Sequence, residues 1–200
     1  MKLGLDIDDV CLKTRESILD YLNFRFKLNI QLKSWNKTFL ADAFKLPKEP
    51  IKRFFQEYKE SDFFHNLEPL PFFREIANTM PHDKYFITMR EKDLQEETEE
   101  QFERLLISFD SEKLFLVGEG TETALREPIR KKRKAMLAKE LGLDLFIEDD
   151  AEIALELANQ GIPVLLFNYP WNQNTNAKGV IRIGDWKSYD FWRLAEKCFY

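Results

Sequence analysis

The stretch Leu3-Gly4-Leu5-Asp6-Ile7-Asp8-Asp9 places three carboxylates directly after a short apolar run. The apolar residues predict a first β-strand, and the acidic residues fall at its carboxyl end, the edge where open α/β sheets bind ligands. Neighbouring carboxylates repel each other and are costly to desolvate, so no structural need explains Asp6 and Asp8 there. A divalent cation held by their oxygens would remove that cost, whereas an acidic turn is the alternative for this stretch alone.

The composition limits the classes of protein to which the chain can belong. Its 200 residues are 44% hydrophobic and 14% aromatic, enough for the core of one domain or of one domain with an insertion. A formal net charge of −5 argues against a nucleic-acid polymer as partner, because such proteins need a basic surface. A small anionic substrate in a locally positive pocket is compatible with that charge.

Neither membrane insertion nor export is expected. No run approaches the roughly 20 apolar residues that cross a bilayer, and the amino terminus leads straight into the first strand rather than into a targeting segment. The two cysteines, Cys11 and Cys198, stand at opposite ends of the chain, which argues against a disulfide framework and favours the reducing cytoplasm. No histidine is near Cys11 in sequence, so we interpret it as a buried structural thiol.

Apolar runs and amphipathic segments alternate along most of the chain. The predicted strands are Lys2–Asp6, Lys84–Thr88, Lys113–Val117, Leu145–Glu148 and Pro163–Phe167. The predicted helices are Glu91–Leu106, Lys134–Leu141 and Ala151–Gln160. This alternation is typical of an α/β fold with a Rossmann-like parallel sheet that helices cover on both faces.

Residues 14–80 interrupt the alternation. They carry apolar residues at helical spacing, for example Ile18 and Leu22, and prolines divide them into short segments. We expect a small all-helical cap inserted after the first strand, with residues 1–13 and 81–200 forming the catalytic core. That position would place the cap over the carboxyl edge of the sheet.

Four polar clusters follow predicted strands or open a predicted helix. They are Asp6 with Asp8, Thr88 with Met89 and Arg90, the basic run Arg130–Lys134, and Glu148–Asp150. In a parallel sheet all four would meet at one edge. One carboxylate there can attack phosphorus, a second can protonate the leaving oxygen, and a hydroxyl and an ammonium can bind the phosphoryl oxygens. A further acidic pair can hold magnesium, so the set favours phosphoryl transfer.

Three of these clusters also have a structural interpretation. Thr88 could cap the helix predicted near Glu91, and Glu148–Asp150 could form an acidic N-cap. The basic run Arg130–Lys134 could be a solvated helix start. Cations at a helix amino terminus oppose the helix dipole, however, and an anion nearby would remove that penalty.

The ordered set resembles the haloacid dehalogenase superfamily of phosphohydrolases, and within it the 5′-nucleotidases of the 5′(3′)-deoxyribonucleotidase type. The resemblance rests on Leu5-Asp6-Ile7-Asp8-Asp9-Val10, Phe86-Ile87-Thr88-Met89-Arg90, Lys134-Ala135 before Glu140-Leu141-Gly142, Phe146-Ile147-Glu148-Asp149, and Gly161-Ile162-Pro163-Val164 before Tyr169-Pro170-Trp171-Asn172. Each motif is weak alone, and their order makes the set specific. The resemblance implies magnesium as cofactor and an aspartyl-phosphate intermediate.

A role is also implied for each matching residue. Asp6 resembles the nucleophile and Asp8 the general acid/base. Magnesium would be held by Asp6, the backbone carbonyl of Asp8 and Asp149, with Glu148 in support. The transferring phosphoryl group would be bound by Thr88, Met89 and Lys134.

The sequence leaves two points of this assignment open. Lys131 and Lys132 compete with Lys134 for the place of the phosphate-binding lysine. Many relatives have a glycine where Asp9 stands, so the extra carboxylate either disturbs magnesium binding or faces solvent.

A nucleoside monophosphate is the substrate that the resemblance favours. Candidate substrate contacts are Phe63, Phe64, Arg90, Trp171 and Asn172, the phenylalanines because aromatic faces can stack on a nucleobase. We therefore predict a magnesium-dependent phosphomonoesterase of the 5′-nucleotidase kind. The alternatives are a phosphatase for another small phosphate metabolite, a catalytically weak member that binds phosphate or nucleotide, and a signalling receiver domain. The receiver domain is disfavoured because receivers carry their acidic pair, threonine and lysine in a different order along the chain. As for oligomeric state, a homodimer is possible.

Overall fold

The computed structural model describes residues 1–45, 48–118 and 127–187, and Cys198 and the side chain of Lys131 lie outside the part it describes. The strands within these ranges are β1 (Lys2–Leu5), β2 (Asp83–Glu91), β3 (Leu114–Gly118), β4 (Leu145–Glu148), β5 (Val164–Phe167) and β6 (Val180–Ile183). All are parallel and form one sheet in the order β3-β2-β1-β4-β5-β6. The α/β fold with a Rossmann-like parallel sheet is confirmed.

Helices connect the strands and also fill the long segment between β1 and β2. The α-helices of the described residues are α1 (Thr14–Phe26), α2 (Leu40–Phe44), α3 (Lys48–Lys59), α4 (Asp62–His65), α5 (Phe73–Thr79), α6 (Gln95–Arg104), α7 (Glu127–Glu140) and α8 (Ala151–Asn159). Short 3-10 helices lie at Leu32–Ser34, Lys92–Leu94 and Ser111–Lys113. Within the ranges described above, none of these helices has both the length and the apolar character that a bilayer span requires.

Two features of the core differ from the sequence prediction. The prediction missed β6, which pairs with β5 at the edge of the sheet. It also placed the start of α7 at Lys134, whereas the helix begins at Glu127. Proline is favoured in the first turn of a helix, so Pro128 was the signal for this earlier start. Lys134 therefore lies in the middle of α7, and the argument from the helix dipole does not apply to it.

The strand order places β1 at the centre of the sheet. It pairs with β2 on one side and with β4 on the other, and Leu3 and Leu5 are fully buried. In open α/β sheets, ligands bind in the crevice where the strand order reverses, outside the carboxyl ends of the strands. That crevice lies between β1 and β4, directly beyond Asp6 and Glu148.

The segment from α1 to α5, here called the helical insertion, has an aromatic core of its own. The ring of Tyr21 lies 5.3 Å from that of Phe54, 5.7 Å from Tyr58 and 5.6 Å from Phe63. Such pairs add to the stability that burial of the rings provides. The helical insertion follows β1 as expected, and the proposed domain limits at residues 14–80 stay a prediction.

We predict that Gly4→Ala destabilises the protein because the centre of the sheet leaves no room for a methyl group. A Cβ at Gly4 would lie 2.2 Å from Cδ2 of Phe146 and 2.8 Å from Cδ1 of Leu143. Overpacking of this kind typically costs about 2 kcal/mol in the free energy of unfolding. The comparison variant is Gly161→Ala. A Cβ at Gly161 would have no atom within 4 Å, so only the backbone φ of +83° disfavours alanine there. Urea denaturation that ranks the two losses equal or reversed would contradict the expected close packing.

Candidate active site

Buried charges from β1, α7 and β4 meet at the carboxyl edge of the sheet. Nζ of Lys134 lies 2.8 Å from Oδ1 of Asp6, the residue that follows β1. The same ammonium donates a hydrogen bond of 2.7 Å to Oε2 of Glu148, the last residue of β4. All three side chains are buried. The structure thus brings together three residues that the sequence predicted for one site.

Burial and mutual attraction determine how these three groups are charged. Burial works to lower the pKa of Lys134, but the carboxylates of Asp6 and Glu148 outweigh it and raise that pKa. Burial raises the pKa of Glu148 to about 8, against the attraction of Lys134. It also raises the pKa of Asp6 above its ordinary value, with Lys134 again opposing. One ammonium is therefore shared by two carboxylates that are costly to ionise without it.

The described neighbours of Lys134 in the basic run differ from it in their exposure to solvent. Lys132 and Arg133 are exposed on α7, whereas Lys134 has no exposed surface. The side chains of Arg130 and Lys131 lie outside the described residues. Among the described side chains of the run, Lys134 is the one that contacts Asp6 and Glu148.

Asp8 is held by hydrogen bonds from several directions. Oγ1 of Thr14 donates to its Oδ1 at 2.6 Å, Nη2 of Arg90 donates to the same oxygen at 2.8 Å, and Oγ1 of Thr88 donates to Oδ2 at 3.3 Å. Burial works to raise the pKa of Asp8, but the guanidinium of Arg90 and these hydrogen bonds lower it below its ordinary value. Asp8 is therefore ionised at neutral pH in this arrangement.

Thr88 and Arg90 belong to a strand rather than to a helix start. β2 continues to Glu91 with a register shift after Thr88, and α6 begins only at Gln95 with Leu94 as its N-cap. The interpretation of Thr88 as a helix cap is therefore wrong. Its hydroxyl instead faces Asp8 and accepts a 3.2 Å hydrogen bond from the backbone N–H of Arg90.

Arg90 links the site to α6 and to the helical insertion. Its Nη1 donates to Oγ1 of Thr98 at 3.0 Å and to Oε1 of Gln101 at 2.8 Å. Nε2 of Gln101 in turn donates to the backbone carbonyl of Phe64 in α4 at 2.8 Å. The ring of Phe64 lies 5.3 Å from the guanidinium carbon of Arg90. Asp8 is thus connected to the helical insertion through two side chains.

Met89 and Phe63, which the sequence predicted for the site, pack against apolar and aromatic side chains. Met89 is half-buried and packs with the hydrophobic cluster that contains Ile87. Phe63 is half-buried among the rings of Tyr21 and Phe24. The predicted roles of Met89 in binding phosphate and of Phe63 in binding substrate stay predictions.

The acidic run after β4 divides into three separate environments. Asp150 is the N-cap of α8, because its Oδ1 accepts hydrogen bonds from the backbone N–H groups of Glu152 and Ile153. The interpretation as an acidic N-cap thus holds for this residue. Glu148 faces Lys134, as described above, and Asp149 faces the loop after β5.

The loop after β5 holds Asp149 in place. Nε1 of Trp171 donates to Oδ2 of Asp149 at 2.9 Å, and Nδ2 of Asn172 donates to the Asp149 backbone carbonyl at 2.7 Å. Both Trp171 and Asn172 are buried. In the structure both residues orient Asp149, and their predicted contact with the substrate stays a prediction.

The donor set at this edge fits a hard divalent cation. One carboxylate oxygen each from Asp6, Glu148 and Asp149 lies within 4.8 Å of the others. Oδ1 of Asp6 is buried beside the ammonium of Lys134. Among the described residues, none makes a hydrogen bond of good geometry with this oxygen. Burial raises the pKa of Asp149 well above its ordinary value. Clustered carboxylate oxygens of this kind are the ligands that magnesium and calcium prefer, and a bound cation would offset the cost of burying them.

Arg15 of α1 contacts the same acidic group and was missed in the sequence. Its Nε donates to Oδ2 of Asp9 at 2.9 Å, and its Nη2 lies 3.5 Å from Oδ2 of Asp149. The guanidinium carbon lies 3.9 Å from the ring centre of Trp171 and 5.0 Å from that of Trp35. The sequence left the role of Asp9 open. In the structure Asp9 is buried and pairs with Arg15, which also contacts Asp149.

The interpretation of Cys11 as a buried structural thiol agrees with its surroundings. The side chain has no exposed surface, and its Sγ donates to the backbone carbonyl of Asp6 at 2.9 Å. Burial raises the pKa of this thiol well above its ordinary value. A thiol in that state is a poor nucleophile.

Known proteins resemble this chain along nearly its whole length. No family model matches the sequence. The Bacillus subtilis protein YqfW, provisionally named a nucleotidase, is 29% identical over 199 residues, which is 96% of this chain and 93% of that protein. A nucleotidase of Clostridium acetobutylicum is 28% identical over 173 residues, 84% of this chain and 81% of the relative.

A solved structure supports the fold. A haloacid dehalogenase-like hydrolase of Streptococcus pneumoniae superposes with a TM-score of 0.61 over 90% of this chain and 92% of that one, at 14% identity. The sequence relatives and the fold agree with the resemblance found in the motifs. The chain is thus similar in sequence to proteins named nucleotidases, and it has the fold of a haloacid dehalogenase-like hydrolase.

Proposed function

We propose that the protein is a magnesium-dependent phosphomonoesterase that hydrolyses nucleoside 5′-monophosphates through an aspartyl-phosphate on Asp6. The observation that carries the proposal is the buried ammonium of Lys134 between Asp6 and Glu148. A cation in that position can hold a phosphoryl group against a carboxylate, two anions that would otherwise repel each other. The nucleotidase names of the relatives support the choice of substrate.

The first step transfers the phosphoryl group to the enzyme. A carboxylate oxygen of Asp6 forms a bond to phosphorus while the bond from phosphorus to the ester oxygen breaks. The ester oxygen leaves with a proton from Asp8. Since Arg90 keeps Asp8 ionised in the resting arrangement, substrate must displace part of that contact so that Asp8 takes up a proton from solvent, and that proton returns to solvent after the second step.

The second step releases phosphate and restores the enzyme. Asp8 takes a proton from a water molecule, whose oxygen attacks phosphorus, and the bond between Asp6 and phosphorus breaks. The low pKa of Asp8 means that it enters this step as a carboxylate. Throughout both steps the hydroxyl of Thr88 and the ammonium of Lys134 hold the phosphoryl oxygens in our proposal.

The metal would be held by carboxylates of Asp6 and Asp149 and by the backbone carbonyl of Asp8, with Glu148 in support. Magnesium, when bound, supplies positive charge that lets a phosphate dianion approach a carboxylate. Trp171 and Asn172 act on this site by fixing Asp149 through its side chain and its backbone.

The helical insertion is the part of the chain that we expect to face the nucleoside. Phe63 is half-buried and retains surface that could stack on a base, whereas only 4% of Phe64 is exposed. Phe64 instead supports Arg90 through its ring and its carbonyl. Action in the cytoplasm and assembly as a homodimer stay predictions.

The first prediction concerns the nucleophile. Asp6→Asn should lower hydrolysis by about 10³-fold or more, because an amide cannot form the acyl-phosphate. The matched control is Asp20→Asn, an exposed aspartate on α1 that should leave turnover unchanged. Phosphate release is measured with magnesium over nucleoside monophosphates, sugar phosphates and other small phosphomonoesters. Undiminished turnover by Asp6→Asn would refute the mechanism, and wild-type binding without turnover would favour the phosphate-binding alternative.

The second prediction concerns Lys134. Lys134→Met should abolish activity and lower the free energy of unfolding by about 3 kcal/mol or more, because Asp6 and Glu148 lose their buried counter-charge. Lys132→Met on the exposed face of α7 should change stability by less than about 0.5 kcal/mol. Urea denaturation and phosphate release test both variants. Equal effects of the two substitutions would argue against the assigned lysine.

The third prediction concerns the metal. Magnesium should raise the melting temperature of the wild-type protein, since it binds the folded state and neutralises crowded carboxylates, and EDTA should reverse the shift and suppress activity. Asp149→Asn should lose most of the shift. Asp150→Asn should keep it, because that carboxylate caps α8. Calorimetry in which the two variants respond alike would count against Asp149 as a ligand.

A further inference from the structure

Arg15 lies in a compartment built from both the core and the helical insertion. Its guanidinium is stacked over Trp171 of the core at 3.9 Å, and Trp35 of the helical insertion lies 5.0 Å from it. Nη1 donates to the backbone carbonyl of Lys37 at 3.3 Å. The side chains of Arg15, Trp35 and Trp171 are largely buried. A cation stacked between aromatic faces and desolvated in this way is held strongly.

Asp9 anchors this cation from the core side. The backbone N–H of Arg15 donates to Oδ1 of Asp9 and its Nε donates to Oδ2, both at 2.9 Å. Asp9 is buried and has a φ of +61°, a left-handed conformation that favours glycine. Aspartate adopts this conformation less readily than glycine, and the Asp9 carboxylate in it contacts Arg15.

The remaining guanidinium nitrogen faces the metal carboxylate of the proposed function. Nη2 of Arg15 lies 3.5 Å from Oδ2 of Asp149, the oxygen that also accepts the hydrogen bond from Trp171. A divalent cation bound by Asp149 would compete with Arg15 for that carboxylate and would repel the guanidinium. The 3.5 Å contact is the longer of the two ion pairs of Arg15, so it is the one that such competition breaks first.

We propose that Arg15, anchored by Asp9, is a charge latch: it competes with the divalent cation for Asp149 and transmits metal occupancy to Trp35 and Lys37, which follow α1 in the helical insertion. Without metal, Arg15 neutralises Asp149. When a cation binds, the Nη2 contact is lost while the Asp9 contacts keep Arg15 in place, and the guanidinium shifts against Trp171, Trp35 and the Lys37 carbonyl. The proposal rests on the metal site of the proposed function, and Arg15 is a positioning residue in it.

The main test measures the affinity for metal in the absence of substrate. Mn²⁺ alone is titrated into the protein, and the free ion is measured by electron paramagnetic resonance for the wild type, Arg15→Gln and Arg25→Gln. Removal of the competing charge should lower the dissociation constant of Arg15→Gln by about threefold or more. Arg25 is a matched control on the same helix, more than half exposed and paired with Glu57, and its variant should bind as the wild type does.

The outcomes separate the latch from the metal site. An Arg15→Gln dissociation constant equal to or above that of the wild type overturns the latch and leaves the metal site standing. Absence of Mn²⁺ binding in both proteins overturns the metal site and the latch with it. Circular dichroism of Arg15→Gln shows whether the variant is folded.

A measurement on the wild type keeps the test independent of any loss of folding in the variant. The Nε–Hε signal of Arg15, identified by its loss in Arg15→Lys, is followed by nuclear magnetic resonance as Mg²⁺ is added. Its chemical shift should change and saturate with metal occupancy, because the guanidinium moves relative to the face of Trp171. A signal that stays fixed while the metal binds overturns the latch.

Discussion

The contact of one buried ammonium with two carboxylates is the interaction on which the edge of the sheet depends. Asp6 follows the central strand, Glu148 ends its neighbour, and Lys134 reaches both from α7. Burying two like charges so close together is costly, and removing the partner of a buried ion is more costly than never burying it. The ion group therefore fixes the ends of β1 and β4 relative to α7. That fixed edge is what orients the carboxylate proposed to attack phosphorus.

A second chain of contacts relates the helical insertion to the chemistry. It runs from Asp8 through Arg90 to Gln101, and from Gln101 to the backbone carbonyl of Phe64. Each member is held by a hydrogen bond of 2.8 Å, and Arg90 is buried throughout. Movement of α4 would therefore disturb the partner that keeps Asp8 ionised. The position of the helical insertion and the protonation of Asp8 are physically coupled in this arrangement.

Most of the site residues that the sequence predicted are fixed by strand ends, whereas Lys134 lies in the middle of α7. Asp6, Thr88 and Glu148 follow or end short apolar runs, and parallel strands carry such residues to a common edge, so their meeting needs no knowledge of loops. Arg15 could not be found in this way. Its place depends on the left-handed backbone at Asp9 and on packing against a tryptophan far away in sequence, neither of which leaves a periodic signal.

The misplaced elements have local causes. β6 is a four-residue edge strand whose apolar residues are mostly half-buried, so its pattern is weaker than that of the buried strands. The predicted start of α7 at Lys134 rested on the basic run and left out Pro128, the helix-start signal that precedes it. The longer helix changes the physical account of the lysine, since its charge is stabilised by carboxylates and not by the end of a helix.

The thiol of Cys11 makes the loop after β1 accessible to chemical observation. Its donation to the Asp6 carbonyl, together with complete burial, means that a reagent can reach the sulfur only when this loop opens. The rate of alkylation under native conditions then reports how often the backbone beside the carboxylate departs from its folded arrangement. Cys198 is the other thiol in the chain, and peptide mapping distinguishes the two. The chain thus carries a natural reporter of local unfolding next to the proposed nucleophile, Asp6.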